Sequence, residues 1–139
     1  MNNRINGMGF HHIALKCKDF DKSIQFYEAM GGTVKVAWGE GMNRAAMIDL
    51  GDGGCIELFA GGTGKKTECD DQSGEWIHLA VSCDDPDAAF AAAIAAGAAE
   101  RNTPFDTVIP SDVPVPVRIA FVYGPDREVI EFFHVRNEQ

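Results

Sequence analysis

From Phe10 to Cys17 the chain alternates, with Phe10, His12, Ala14 and Lys16 on one side of an extended strand and His11, Ile13, Leu15 and Cys17 on the other. The second set is mostly apolar and is expected to pack on a helix. The first set, small and polar around a histidine, is placed to line a cup. A helix should follow at once, capped by Asp19 or Asp21, carrying Phe20, Ile24, Tyr27 and Met30 on one side and ending at Gly31-Gly32. Three strands come next: Thr33 to Trp38, Arg44 to Leu50 and Gly54 to Phe59, the last two joined across Gly51-Asp52-Gly53. On the third, Cys55, Glu57 and Phe59 share a face opposite Ile56 and Leu58, so a carboxylate is set into an apolar strand.

Residues 61–74 hold Gly, Thr, Lys, Asp and Ser without periodicity and read as a linker. Alternation then resumes. Trp76, His78, Ala80 and Ser82 oppose Ile77, Leu79, Val81 and Cys83, and Asp85 caps a second helix whose first position is Pro86, where a missing N–H costs nothing. Phe90 and Ile94 give this helix a thin apolar side. A short strand is expected over Ala98 to Thr103, a proline-stiffened loop over Phe105 to Pro116, and a hairpin of Val117 to Tyr123 and Glu128 to Val135 turning at Gly124-Pro125-Asp126-Arg127. Glu131 shares a face with Val129 and Phe133.

The two halves are copies of one module. A shift of 66 positions superposes His12 on His78, Ala14 on Ala80, Cys17 on Cys83, Asp19 and Asp21 on Asp85 and Asp87, and Gly31 on Gly97. Downstream, Cys55-Ile56-Glu57-Leu58-Phe59 answers Val129-Ile130-Glu131-Phe132-Phe133. Each copy reads βαβββ. The pattern predicts an α+β fold: two paired βαβββ modules forming a cupped mixed sheet with helices on its outer face. Residues 1–139 would be one domain, with module 1 over about 9–60 and module 2 over about 75–135.

Charge narrows the class of partner. The formal net charge is −9 and the pI near 4.7, which opposes a nucleic-acid or anionic-membrane partner because both need a basic footprint. The four cysteines form no Cys-x-x-Cys pair, the opening residues lack the apolar core of a signal peptide, and no apolar run approaches the ~18 residues of a membrane span. A cytoplasmic protein with reduced thiols is expected.

The candidate chemistry lies in the repeat. His12 and His78 are equivalent, as are Glu57 and Glu131, so a twofold pairing of modules would bring all four together. Two buried, unpaired carboxylates would cost several kcal/mol each, a cost that a divalent cation between them offsets. Two imidazoles and two carboxylates suit a borderline ion such as Ni²⁺, Co²⁺, Fe²⁺, Mn²⁺ or Zn²⁺. Strand alternation points His11 and His134 away from the ligand face, so both read as packing or surface residues. Cys55 shares the Glu57 face and reads as structural, since no cation near it in sequence would lower its thiol pKa.

These motifs resemble the glyoxalase I branch of the vicinal-oxygen-chelate (glyoxalase/bleomycin resistance/dioxygenase) superfamily. The resemblance runs from about Phe10 to Val135. It rests on His12-Ile13-Ala14-Leu15 leading into Asp19 to Tyr27, on Ile56-Glu57-Leu58, on His78-Leu79-Ala80-Val81, and on Ile119 to Val122 through Gly124-Pro125-Asp126 to Ile130-Glu131-Phe132. It implies one divalent ion per site, Ni²⁺ or Co²⁺ before Zn²⁺, held by His12, Glu57, His78 and Glu131, and a homodimer. It also implies a hemithioacetal of a 2-oxoaldehyde and a small thiol as substrate. Glu131 would carry a proton between adjacent carbons through a metal-bound enediolate, with Glu57 as ligand or second base. Other branches remain as alternatives: an acyl-CoA epimerase, a metal-dependent thiol transferase, or a metal-free antibiotic-binding protein. The first commonly carries glutamine in place of Glu57, and the second needs only three ligands.

Two positions depart from the glyoxalase I pattern. An arginine that binds the thiol four residues after the first histidine is Lys16 here, and an asparagine four residues after the first glutamate is Gly61. Lys16 keeps the charge without the planar fork that suits a carboxylate. The resemblance therefore predicts a poor or atypical user of glutathione.

Overall fold

The computed structural model describes residues 3–65 and 69–137; part of the expected linker, residues 66–68, lies outside them. The chain divides into two compact units, Met1–Lys65 and Lys66–Gln139. Each contains one βαβββ module, and the fold is α+β with two four-stranded mixed sheets and two helices.

In the first unit β1 (His12–Lys16) leads into α1 (Phe20–Ala29), followed by β2 (Thr33–Trp38), β3 (Ala45–Asp49) and β4 (Cys55–Phe59). The sheet order is β1-β4-β3-β2, with β1 parallel to β4 and the other pairs antiparallel. Asp19 caps α1 by accepting from the Lys22 N–H at 3.1 Å. The helix buries Phe20, Ser23, Phe26 and Tyr27, while Ile24 and Met30 are only half-buried, so the seated face is turned toward Phe26 relative to the expected stripe. Beneath it Ala46, Ile48, Ile56 and Leu58 form the core. Gly32 sets the close approach, because a Cβ there would meet Ile48 Cγ2 at 2.7 Å and the Tyr27 carbonyl oxygen at 2.8 Å.

The second unit repeats the plan with β5 (Leu79–Ser82), α2 (Pro86–Ala95), β6 (Ala99–Ile109), β7 (Val115–Tyr123) and β8 (Val129–Val135), in the order β5-β8-β7-β6. Asp85 caps α2 through the N–H groups of Asp87 and Ala88, with Pro86 in the first turn. Among its residues only Pro86 and Ala93 are buried. An ion-pair network supplements this thin contact. Arg118 on β7 reaches Asp87 on α2 with both Nε and Nη2, the latter at 2.8 Å, and donates from Nη1 to Asp106 on β6 at 3.1 Å.

The expected loop over Phe105 to Pro116 is corrected. β6 runs on through Ile109 and β7 begins at Val115, leaving only 110–114 between them. Two features reconcile the prolines with a ladder. Pro110 and Pro114 fall in that short turn, and Pro116, which pairs with Val108 on β6, still offers its carbonyl to the Arg136 N–H at 2.8 Å.

Candidate metal centre

Each unit brings one histidine against one glutamate by the same construction. In the first, Ala14 pairs with Glu57 across the parallel β1–β4 ladder, and His12 lies two residues upstream of Ala14 on the same face. The small alanine leaves room for the imidazole to lean across, and His12 Nε2 stands 3.6 Å from Glu57 Oε1. In the second, Ala80 pairs with Glu131 across β5–β8, and His78 Nε2 stands 3.9 Å from Glu131 Oε1. His78 lies just ahead of β5, as His12 opens β1.

Glu131 is 8% exposed and shares the status of buried polar residue with Ser23 among the described residues. Burial pushes its carboxyl above the ordinary glutamate range, and the neighbouring His78 works in the opposite direction. The ring of Phe121, whose residue pairs with Glu131, meets His78 edge-on with centroids 5.7 Å apart. In the first unit Trp38 and Phe59 meet edge-on at 6.3 Å, in the row that ends at Lys16.

The outcome for the two remaining histidines differs. His134 donates from Nδ1 to the Cys83 carbonyl at 3.0 Å, tying β8 to the end of β5, as a packing residue should. His11 is exposed, as a surface residue should be, and its Nδ1 lies 2.9 Å from Nδ1 of His12. Both ring nitrogens of His12 thus have a partner, His11 on one side and Glu57 on the other. The cysteines behave structurally. Cys55 is buried with Sγ directed at the Gly53 carbonyl at 3.6 Å, and burial raises the Cys83 thiol.

A divalent ion fits these pairs. With bonds of about 2.0–2.2 Å to nitrogen and oxygen, one ion can bridge donors separated by up to roughly 4 Å. The separations of 3.6 and 3.9 Å fall inside that reach. Neither pair is joined by a further His, Cys, Asp or Glu to make a three-ligand cluster among the described residues. Among the described residues each unit therefore offers one His–Glu pair.

Two further neighbours carry no mark of their role in the sequence pattern: Phe121, and the Arg101-Asn102 step on β6 whose guanidinium lies over it. Phe121 is within reach, because counting back across the turn at Gly124-Pro125-Asp126-Arg127 sets it opposite Glu131. The Arg101-Asn102 step depends on a bulge that leaves no trace in composition.

Residues 9–132 match the model of the Glyoxalase/Bleomycin resistance protein/Dioxygenase superfamily. The chain belongs to this superfamily. Solved structures agree on the fold. A glyoxalase family protein from Enterococcus faecalis matches with a TM-score of 0.68 at 16% identity, covering 94% of this chain and 100% of that one. A glyoxalase/bleomycin resistance protein/dioxygenase family enzyme from Burkholderia phytofirmans PsJN matches at 0.66 with 20% identity over 90% and 97%. TioX from Micromonospora sp. ML1 matches at 0.64 with 20% identity over 91% and 98%. Among curated proteins none matches in sequence. At these identities the structural likeness concerns the fold alone. No helix among the described residues is long and apolar enough to cross a membrane.

Proposed function

We propose that the protein is a divalent-metal-dependent lyase or isomerase acting on the hemithioacetal of a 2-oxoaldehyde and a small thiol. The observation that carries this reading is the repeated pair, His12 with Glu57 and His78 with Glu131, built by the same alanine-spaced register in both units. The four side chains would hold one ion, Ni²⁺ or Co²⁺ before Zn²⁺, when the two units pair within one chain or across a homodimer. A bound divalent cation supplies Lewis-acid stabilisation of the negative charge that gathers on two vicinal oxygens as carbon loses a proton.

The protein's own part is the proton. Glu131 takes it from the carbon bearing sulfur and returns it to the neighbouring carbonyl carbon. The C–H bond broken at one carbon is thereby remade at the next, the hydroxyl proton passes from the first oxygen to the former carbonyl oxygen, and a 2-hydroxyacyl thioester results without any external oxidant or reductant. A base for this step should hold its proton neither too weakly nor too tightly. Burial, which raises the Glu131 carboxyl, moves it in the useful direction. Glu57 serves as ligand or second base. Phe121 holds the His78 ring from one side by an edge-on contact.

The test is metal analysis coupled to thioester formation from methylglyoxal and a panel of thiols. Metal-stimulated turnover that falls by about 10²–10⁴-fold in Glu131→Gln supports the reading. Protein that neither binds Ni²⁺, Co²⁺ or Zn²⁺ nor isomerises any hemithioacetal would instead be a metal-free binding member of the superfamily.

A further inference from the structure

Among the described residues of the second unit, Arg101 and Arg127 have no acidic partner, and each lies over an aromatic ring. Arg44, Arg118 and Arg136 each pair with an aspartate. Arg101 pairs with none among the described residues, although the chain has 21 acidic residues against 12 lysines and arginines. Its guanidinium instead lies over the ring of Phe121, with Cζ 5.2 Å from the centroid, and Nη1 donates to Asn102 Oδ1 at 2.8 Å.

The backbone sets this arrangement. Between Glu100 and Asn102 the β6–β7 register shifts by one residue, so that Asn102 rather than Arg101 is the partner of Phe121. Simple alternation from Ala99 would set Arg101 alone opposite that ring. The inserted residue brings Asn102 to the same place, so two polar side chains share one aromatic partner. That ring is the one that touches His78 and whose residue pairs with Glu131.

We infer that Arg101 and Asn102 form an anion-recognising subsite and that the molecule acted on at Glu131 carries a carboxylate. The chemistry is specific. With one lone pair of Asn102 Oδ1 taken by Arg101, what remains is mainly donors, the amide NH₂ and the rest of the guanidinium fork. A planar fork held over an aromatic ring is already oriented for a carboxylate, and so loses less freedom on binding one. A ligand anchored there would lie across Phe121 with its other end at Glu131 and His78. The subsite deepens the proposed reaction by giving the substrate a charged end. It also supplies carboxylate recognition in a chain that has Lys16 and Gly61 where the glyoxalase I pattern has an arginine and an asparagine.

The experiment separates binding from turnover. The full chain is titrated with 3-(methylthio)propionate, with 2-(methylthio)ethyl phosphate and with the uncharged 3-(methylthio)propionamide, following the Arg101 Nε–H resonance and the heat of binding. Wild type should bind the carboxylate about 10-fold more tightly than the amide, the lower end for a hydrogen bond to a charged group. Arg101→Gln should erase that preference, Arg101→Lys should keep part of it, and Lys22→Gln, a charge removed from α1, should leave it intact. Phosphate bound more tightly than carboxylate would keep the subsite and reassign its ligand. Equal binding of all three probes, or a preference untouched in Arg101→Gln, would overturn the inference. Intact anion binding in protein that isomerises no hemithioacetal would instead sink the proposed reaction and leave the subsite standing.

Discussion

At the scale of single residues, His11 and His78 make opposite demands on a metal titration. His78 is one of two donors in its unit, so His78→Ala should abolish tight binding of Ni²⁺ or Co²⁺. His11 touches only the far nitrogen of His12, at 2.9 Å, and would hold the imidazole so that Nε2 faces Glu57. Its loss should cost about 10–100-fold in metal affinity, as for other partners of ligating histidines, without abolishing it. Competition against a chromophoric chelator reads both. The thiol side gives a second prediction. Gly61 takes φ +83 with Met42 atoms 3.4 Å from where a Cβ would stand, so this backbone has no ready place for an amide side chain. With Lys16 also lacking a two-pronged donor, kcat/KM for the glutathione–methylglyoxal hemithioacetal should stay below ~10⁵ M⁻¹s⁻¹, within the lower enzyme range. Steady-state kinetics above that value would show that neither departure matters.

At the scale of elements, what the sequence declares depends on which force sets the element. Helix starts are legible because Asp19 and Asp85 act locally, on N–H groups two or three residues away. The His–Glu pairs are legible because strand alternation and the duplication both mark them. The β6–β7 hairpin is not, since Pro110, Pro114 and Pro116 signal a loop, although the first two stand in the turn and only Pro116 enters a strand. The same hairpin anchors α2 through Arg118, and this contact has a pH signature. The Arg118 guanidinium holds the Asp87 carboxyl below its ordinary range. A carboxyl lowered on folding contributes stability that is present above its unfolded pKa of about 3.9 and lost as the pH falls through the folded value. The gap in Tm between wild type and Asp87→Asn should therefore be full near neutral pH and close in the acid range. A gap constant from pH 7 down to pH 3 would mean that the contact is not ionic.

At the scale of the whole molecule, two His–Glu pairs in two copies of one module raise the question of assembly. Phe10, Met42, Trp76 and Val113 are each more than 70% exposed, and each sheet has two edge strands, surfaces that proteins usually cover. A homodimer, at twice 15.1 kDa in multi-angle light scattering, is expected at micromolar concentration, and only monomer would refute it. Whether modules pair within a chain or between chains, a four-ligand site needs one ion for every two His–Glu pairs, hence one per chain. The most direct measurement is a crystal structure of the Ni²⁺-loaded protein with the metal located by anomalous scattering. One ion per chain is expected, within about 2.0–2.2 Å of a nitrogen of His12, a nitrogen of His78, and oxygens of Glu57 and Glu131. An ion held by one His–Glu pair alone, or bound away from all four, would contradict it.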